Sequence, residues 1–267
     1  MRVPQRLGVL GWPVAHSRSP AMHNAALKAV GLDGWRYQLL PVPPGLFAET
    51  VRALPRAGFA GANVTIPHKE AALSVADTGS PRATAIGAAN TLLFTDDGAM
   101  TADNTDAPAL IAALPFEAAG RSALVLGAGG SARAAVWALL DAGAAEVRVW
   151  NRTPERAVQL TEELGGTPVS SAEPADCLIN CTSSGLDGSD WTFKQLPLRA
   201  DELDRYKCVV DFVYRDSGTG LMNAARSKSI TVVDGFELLV GQGALSFELF
   251  TGRPAPVDVM RTAARAG

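Results

Sequence analysis

The run of small residues at positions 127–132 limits what this chain can fold into more than any other feature. Ala123-Leu124-Val125-Leu126 reads as an apolar strand, Gly127-Ala128-Gly129-Gly130-Ser131-Ala132 follows without a break, and an alanine-rich helical run covers 133–141. A strand that passes straight into a helix through G-x-G-x-x-A is the opening of a dinucleotide-binding βαβ unit. Gly127 permits the tight turn, Gly129 lets backbone approach a pyrophosphate, and Ala132 lets the helix pack closely on the sheet. The helix N-terminus, with Gly130 and Ser131, then offers N–H donors to the anion. The alternative is a purely structural glycine turn.

The next apolar run, 146–150, ends where an NAD-binding unit places a carboxylate for the ribose 2'-hydroxyl. Here the chain reads Asn151-Arg152-Thr153. A guanidinium pairs well with a 2'-phosphate, so NADP is expected rather than NAD, and Arg156 adds a second positive charge one helical turn on. The competing reading makes Arg152 and Arg156 solvated surface charges.

Around this turn the chain alternates strand and helix. Short apolar runs at 7–10, 37–42, 60–66 and 91–94 are separated by Ala/Leu-rich helical stretches, and Asp96-Asp97-Gly98 marks a hairpin to 99–101. A second series of strands is expected at 122–126, 146–150, 176–181, 208–213 and 230–233, implying a parallel sheet with helices on both faces. Residues 236–250 and 257–266 read as helices. The fold class is therefore α/β, with a Rossmann-type doubly wound parallel sheet in the second half. The length of 267 residues accommodates two modest domains.

Composition narrows the function classes. With 47% hydrophobic and 19% charged residues the chain is globular, and its net charge of -3 disfavours non-specific nucleic-acid binding, which needs a basic face. Residues 1–11 contain no long apolar core, so neither a leader nor a membrane span is expected, and the cytoplasm follows. Small molecules are the expected partners. Cys177, Cys181 and Cys208 lack C-x-x-C spacing and read as core thiols, while His16, His23 and His68 have no ligand partners at metal-site spacing; no metal is expected.

The first half carries its own constellation. Gly11-Trp12-Pro13 ends a strand and His16-Ser17-Arg18-Ser19-Pro20 leads into a helix bearing His23-Asn24. If that loop is extended, Ser17 and Ser19 point the same way and suit a ligand carboxylate; helix capping explains the same residues. In Asn63-Val64-Thr65-Ile66-Pro67-His68-Lys69, strand character puts Asn63 and Thr65 on one face and Lys69 at the next helix start. Lys69, Asn90 and Asp106 all border elements, giving a cation, an amide and a carboxylate for a polyhydroxylated ligand.

These segments together resemble shikimate dehydrogenase. The likeness rests on Gly11-x-Pro13-x-x-His16-Ser17-x-Ser19-Pro20-x-x-His23-Asn24, Asn63-Val64-Thr65-Ile66-Pro67-His68-Lys69, Gly87-Ala88-Ala89-Asn90-Thr91 and Asn104-Thr105-Asp106. It continues through Gly127-Ala128-Gly129-Gly130, Asn151-Arg152-Thr153, Asn180-x-Thr182-Ser183-Ser184-Gly185, and Gln242 followed by Ser246-Phe247. The resemblance implies reversible reduction of 3-dehydroshikimate to shikimate with NADPH, in the pathway through chorismate to aromatic amino acids. It implies that Ser17, Ser19 and Tyr214 hold the substrate carboxylate and that Asn63, Thr65, Asn90, Asp106 and Gln242 bind ring hydroxyls. Lys69 and Asp106 form the catalytic pair, and Arg152, Thr153 and Arg156 grip the 2'-phosphate. The cofactor set extends over Gly127, Ala128, Gly129, Gly130, Ser131, Ala132, Asn151, Thr182, Phe212, Gly235 and Leu238.

The same likeness implies a substrate-binding and catalytic domain of residues 1–104 with 236–267, an NADP-binding domain of 105–235, and a monomer or homodimer. Departures from the family pattern are Cys181 for alanine, Phe212 and Leu238 where methionine is common near the nicotinamide, and Asp216 for proline. Hydride addition to a carbonyl leaves an alkoxide that needs a proton, and a lysine is protonated at neutral pH. Rival readings are a quinate/shikimate or aminoshikimate dehydrogenase, a methylene-tetrahydrofolate dehydrogenase, which leaves the paired serines unexplained, and a catalytically inactive NADP-sensing binding protein.

Overall fold

The computed structural model describes residues 5–186 and 192–266; positions 1–4, where the stretch read for a leader begins, and 267, a limit of an expected domain, lie outside the described residues. The chain divides into two compact units, Met1–Thr105 with Leu239–Gly267, and Asp106–Leu238.

The first unit is built on strands β1 (Arg6–Gly11), β2 (Arg36–Pro41), β3 (Phe59–Val64), β4 (Thr78–Gly79), β5 (Thr91–Phe94) and β6 (Met100–Asp103), in the order β2-β1-β3-β5-β6-β4. β1 is parallel to both β2 and β3, whereas β3-β5 and β5-β6 are antiparallel. The Asp-Asp-Gly hairpin is therefore present between β5 and β6. β1 is buried along nearly its whole length, as a central parallel strand must be, and β2, at the sheet edge, is largely exposed. β4 consists of two exposed residues without an apolar run to announce it.

Helices cover the sheet. α1 (Ser19–Ala29), α2 (Phe47–Ala53), α3 (Lys69–Val75) and α4 (Pro81–Ile86) lie in this part of the chain. One apolar cluster joins Leu10, Ala62, Val64 and Leu92 of the strands to Phe47 and Val51 of α2, Ala72 of α3 and Ala83 of α4. Burying each large aliphatic side chain contributes about 1.5–3 kcal/mol before chain entropy is subtracted. β3 stops at Val64, so Thr65 and Ile66, expected in the strand, lie beyond it; the Ile66-Pro67 bond is cis, as is Trp12-Pro13.

The second unit begins with α5 (Asp106–Ala113). Its sheet uses β7 (Ser122–Leu126), β8 (Glu146–Trp150), β9 (Thr167–Pro168), β10 (Cys177–Asn180), β11 (Cys208–Asp211) and β12 (Thr231–Val233), in the order β12-β11-β10-β7-β8-β9. All its pairs are parallel. α6 (Gly130–Asp141), α7 (Pro154–Leu164), α8 (Thr192–Gln195) and α9 (Gly220–Ser227) complete it. Side chains alternate as a pleated strand requires: Ala123, Val125, Cys177, Ile179, Cys208 and Val210 pack with α5, α6 and α7. Leu124, Leu126, Leu178 and Val209 face α9 and the segment around Leu203 and Tyr206 on the other side. This is the doubly wound arrangement that the strand–helix alternation predicts.

α10 (Gly235–Thr251) begins in the second unit and continues in the first, followed by α11 (Val257–Ala266). In the first unit Gly243 of α10 has no Cβ to spare: one built there meets Met22 Cε of α1 at 2.3 Å. Phe250 lies equally close to β3, where a Cβ on Gly61 meets its ring at 2.5 Å.

Candidate active site

In the second unit the strand order reverses between β7 and β10. The carboxyl ends of strands at such a reversal leave a crevice, and ligands of open α/β sheets bind there. The glycine turn leaves β7 at this place. Gly127 has φ +111° and donates its N–H to the Trp150 carbonyl at 2.7 Å. A Cβ on Gly127 would stand 3.2 Å from the Cys181 carbonyl carbon and 3.4 Å from Thr182 Cγ2. Both conformation and close approach therefore demand glycine at this position.

Gly129 differs. Its φ is -96°, open to any residue, and a Cβ there would meet nothing within 4 Å. The protein itself makes no use of the bare α-carbon, which leaves backbone accessible to a group from outside. α6 starts at Gly130, three residues earlier than the sequence run suggests, so the positive end of its dipole sits at the turn. Ala132 is fully buried against the sheet. A bare backbone face, a helix start and a switch point in one place fit the pyrophosphate of a dinucleotide.

At the exit of β8, Asn151 Nδ2 donates to the Thr153 carbonyl at 2.9 Å, and the Arg156 N–H donates to the same oxygen at 3.1 Å. Thr153 stands at the N-cap position of α7 without a side-chain cap bond, and Arg152 and Arg156 are both exposed. One short turn thus gathers both guanidinium-bearing residues singled out for a 2'-phosphate, with no Asp or Glu at the β8 exit itself. Among the other expected cofactor residues, Thr182 is half-buried beside Gly127, and Phe212 packs half-buried on the core cluster that contains Leu238. Gly235 is held tightly, because a Cβ there would lie 2.6 Å from the Val213 carbonyl oxygen. Tyr214 stacks at a tilt on Phe236, with ring centroids 5.1 Å apart. Cys177 and Cys208 are buried, as core thiols should be, while Cys181 is only half-buried in the loop that faces Gly127.

In the first unit the ends of β1 and β3 are laced together. Thr65 N–H donates to the Leu10 carbonyl at 2.8 Å and Trp12 N–H to that of Ile66 at 3.0 Å. A Cβ on Gly11 would overlap Thr65 Cγ2 at 2.5 Å. Lys69 opens α3, and its carbonyl accepts the Ala89 N–H at 2.8 Å, which brings the 88–90 segment beside it.

The Ser17–Ser19 loop corrects one expectation. It is not extended: Arg18 is helical in conformation, and the Ser19 N–H donates to Ser17 Oγ at 3.3 Å. Ser19 is the first helical residue and is buried, so strand-like alternation does not orient the two hydroxyls. Nor does either serine cap α1 as the local alternative expects: the N-cap position is Arg18, and the Ser17 hydroxyl only closes a local turn by accepting the Ser19 N–H.

Asn63 and Asn90 are buried and meet half-buried Gln242 in one network. Asn63 Oδ1 accepts from Tyr37 Oη at 2.8 Å and Ser246 Oγ at 3.3 Å, while its Nδ2 donates to the Asn90 carbonyl and Thr91 Oγ1, each at 3.2 Å. All four positions of that amide are engaged inside the unit. Asn90 Oδ1 accepts the Thr105 N–H at 2.7 Å, and its Nδ2 donates to Thr105 Oγ1 at 2.9 Å and Gln242 Oε1 at 3.3 Å. Tyr37 carried no signal in the sequence beyond strand character; its role appears only once β2 and β3 are placed. Asp103 adds support, accepting from Ser80 Oγ at 2.6 Å, from Arg82 through both oxygens and from the Asn104 N–H at 2.7 Å. Asp106 opens α5 in the second unit and is buried.

Two histidines of the motifs belong to the core. His68 Nε2 lies 2.7 Å from the Val42 carbonyl and its ring stacks on Phe47. His23 is fully buried and stacked flat on Tyr37 at 4.2 Å, with neither ring nitrogen hydrogen-bonded, and burial pushes its pKa down to about 3.

Comparison with known proteins bears on both units. Residues 9–92 match the family model of the shikimate dehydrogenase substrate binding domain, residues 111–184 that of shikimate / quinate 5-dehydrogenase, and residues 235–265 that of the shikimate 5'-dehydrogenase C-terminal domain. A shikimate dehydrogenase (NADP(+)) of Paracoccus denitrificans is 43% identical over 94% of this chain and 92% of its own. The crystal structure of shikimate 5-dehydrogenase from Thermus thermophilus in complex with NADP(H) and shikimate is 41% identical, with TM-score 0.86 over 98% of this chain and 99% of that one. A ligand-free 5-ketofructose reductase of a Gluconobacter strain is 28% identical, with TM-score 0.84 over 99% of each chain.

Proposed function

The chain belongs to the shikimate dehydrogenase family, and from that premise we propose that it catalyses the reversible reduction of 3-dehydroshikimate to shikimate with NADPH, a step in aromatic amino acid biosynthesis. The observation that carries this reading is the likeness to NADP(+)-dependent relatives across nearly the whole length, both units included. The arginine-bearing turn after β8, where an NAD-binding unit has a carboxylate, supports the choice of cofactor.

The first unit with α11 is the substrate domain and the second the cofactor domain. Gly127 to Ala132 receive the pyrophosphate, and Asn151, Arg152, Thr153 and Arg156 the 2'-phosphate; Thr182, Phe212, Gly235 and Leu238 belong to the nicotinamide end. When bound, NADPH supplies the hydride. Ser17, Ser19 and Tyr214 hold the substrate carboxylate, while Thr65, Asn90 and Gln242 bind ring hydroxyls. Asn63, whose amide is engaged within the unit just as that of Asn90 is, belongs to the same ring-hydroxyl set. Lys69 donates a proton to the oxygen that becomes an alkoxide, with Asp106 as its carboxylate partner, and takes it back in the oxidation.

No helix among the described residues is long and apolar enough to cross a membrane. The protein acts in the cytoplasm on small molecules, as a monomer or homodimer. The test is reduced-nicotinamide absorbance with shikimate, quinate and aminoshikimate, each with NADP+ and NAD+. Turnover of shikimate with NADP+ well above the other combinations is expected. Preference for quinate or aminoshikimate would reassign the substrate, and no turnover on any would leave the NADP-sensing binding protein.

A further inference from the structure

A buried carboxylate stands behind the glycine turn, and neither the turn nor the substrate residues account for it. Asp211, at the end of β11, is fully buried. Its Oδ1 accepts from Asn180 Nδ2 at 2.9 Å and from the Val213 N–H at 3.0 Å, and its Oδ2 accepts from Thr219 Oγ1 at 2.6 Å. Three donors from three segments converge on one group.

Each donor leads onward. Asn180 Oδ1 accepts both the N–H and the hydroxyl of Thr182, at 3.1 and 2.7 Å. Thr182 Oγ1 in turn accepts the Ser184 N–H at 3.1 Å. Thr182 Cγ2 is the side-chain atom that faces the bare α-carbon of Gly127. On the other side, Thr219 is the N-cap of α9 and accepts the Met222 N–H at 3.2 Å. The Val213 bond fixes the backbone between Phe212 and Tyr214. One carboxylate thereby ties the loop after β10, the loop after β11 and the start of α9 to the C-terminal end of the sheet.

A carboxylate is an expensive choice for this duty. Burial raises the Asp211 pKa to about 6, and an uncharged core residue of similar size avoids that penalty. What an apolar residue lacks is the acceptor that turns Asn180 so that its carbonyl oxygen meets Thr182. A buried, fully satisfied polar network specifies one arrangement of the chain, which is what a loop beside a ligand requires.

We propose that Asp211 is a positioning residue for the dinucleotide, acting through Asn180 and Thr182 to hold the loop after β10 against the glycine turn. The proposal rests on the reading of that turn as the NADP site. Its consequence is a graded effect: the network acts on NADP+ affinity through the loop after β10, and on shikimate only through the backbone beside Tyr214, so NADP+ binding depends on it far more strongly.

The test measures binding of NADP+ and, separately, of shikimate to each variant by calorimetric titration, alongside kcat, both KM values and thermal unfolding. Asp211→Ala is expected to weaken NADP+ binding about tenfold or more, while shikimate binding to the same protein falls by a clearly smaller factor and kcat at saturating NADP+ falls far less than KM rises. Asp211→Asn keeps an oxygen for Asn180 and is expected to recover most of that loss. Should Asp211→Ala fail to fold, Thr182→Val cuts the same chain at its loop end without change of volume, and the same split between the two ligands is expected. Equal losses of NADP+ and shikimate binding, or NADP+ binding in Thr182→Val equal to wild type, would overturn the proposal. Failure of wild type to bind NADP+ overturns the underlying site reading and the proposal with it; wild-type binding with unaffected variants overturns the proposal alone.

Discussion

The two glycines of the turn should respond to alanine in opposite ways. At Gly127 the φ of +111° is one that an L residue adopts only under strain of about 1–3 kcal/mol. The new methyl would also lie 3.2 and 3.3 Å from the carbon and oxygen of the Cys181 carbonyl, backbone that is itself anchored by the Cys181 N–H on Leu126. Overpacking against such a neighbour adds roughly 1–3 kcal/mol, so Gly127→Ala should lose about 2–6 kcal/mol in all. With about 2–4 °C per kcal/mol for a chain of this size, the midpoint of thermal unfolding falls by roughly 4–24 °C. At Gly129 the methyl meets no protein atom. Alanine at an N-cap costs up to about 1 kcal/mol, and the stiffer unfolded chain returns about 0.4–1 kcal/mol, so stability barely changes. The methyl does occupy the face assigned to the pyrophosphate, and KM for NADP+ should rise at least tenfold, about 1.4 kcal/mol of binding. Circular dichroism melts and initial rates at varied NADP+ check both halves. An unchanged melt for Gly127→Ala, or wild-type KM for Gly129→Ala, would refute the reasoning.

Other expectations concern the chemistry and the core. Lys69→Ala should lower kcat by about two to four decades with little change in KM for shikimate; near wild-type turnover would remove Lys69 from the proton transfer. Arg152→Ala should raise KM for NADP+ while leaving the weak use of NAD+ almost unaltered, and equal losses with both cofactors would show that the arginine does not read the 2'-phosphate. His23, its pKa lowered from 6.5 to about 3 by burial, binds protons more readily unfolded than folded, so its contribution is full above about pH 6.5 and is lost as pH falls towards 3. His23→Phe keeps a ring on Tyr37 and removes two unpartnered nitrogens, so urea unfolding should show a gain of about 1–3 kcal/mol, growing in acid. A loss of stability in that variant would mean that the nitrogens are satisfied in solution.

Much of the fold could be read along the chain because its signals are local. The short apolar runs of β1, β7 and β8, the Asp-Asp-Gly hairpin and the helical stretch that becomes α11 each depend on residues a few positions apart. End points were less legible: strands were expected to run through Ile66 and Val213, but β3 and β11 stop at Val64 and Asp211. Apolar character continues past the last ladder partner, and partners lie elsewhere in the sequence. β4 and β9, two residues each, exist only because a neighbouring strand pairs with them. The Ser17–Ser19 loop misled because alternation orients side chains only in extended backbone, and the chain there turns toward α1.

Sequence alone determined that a strand passes into a helix through a glycine-rich turn at 127–132, that an arginine rather than a carboxylate follows β8, and which amides, hydroxyls and cations are present for a polar ligand. Tertiary structure decided that β10 lies beside β7, which makes the glycine turn a switch point and sets Thr182 against it. It also decided that Tyr37 and Ser246 engage Asn63, and that Asp211 collects three donors. Residue type and short-range periodicity are properties of neighbouring positions; hydrogen-bond partnership and burial depend on which distant strands and helices come together.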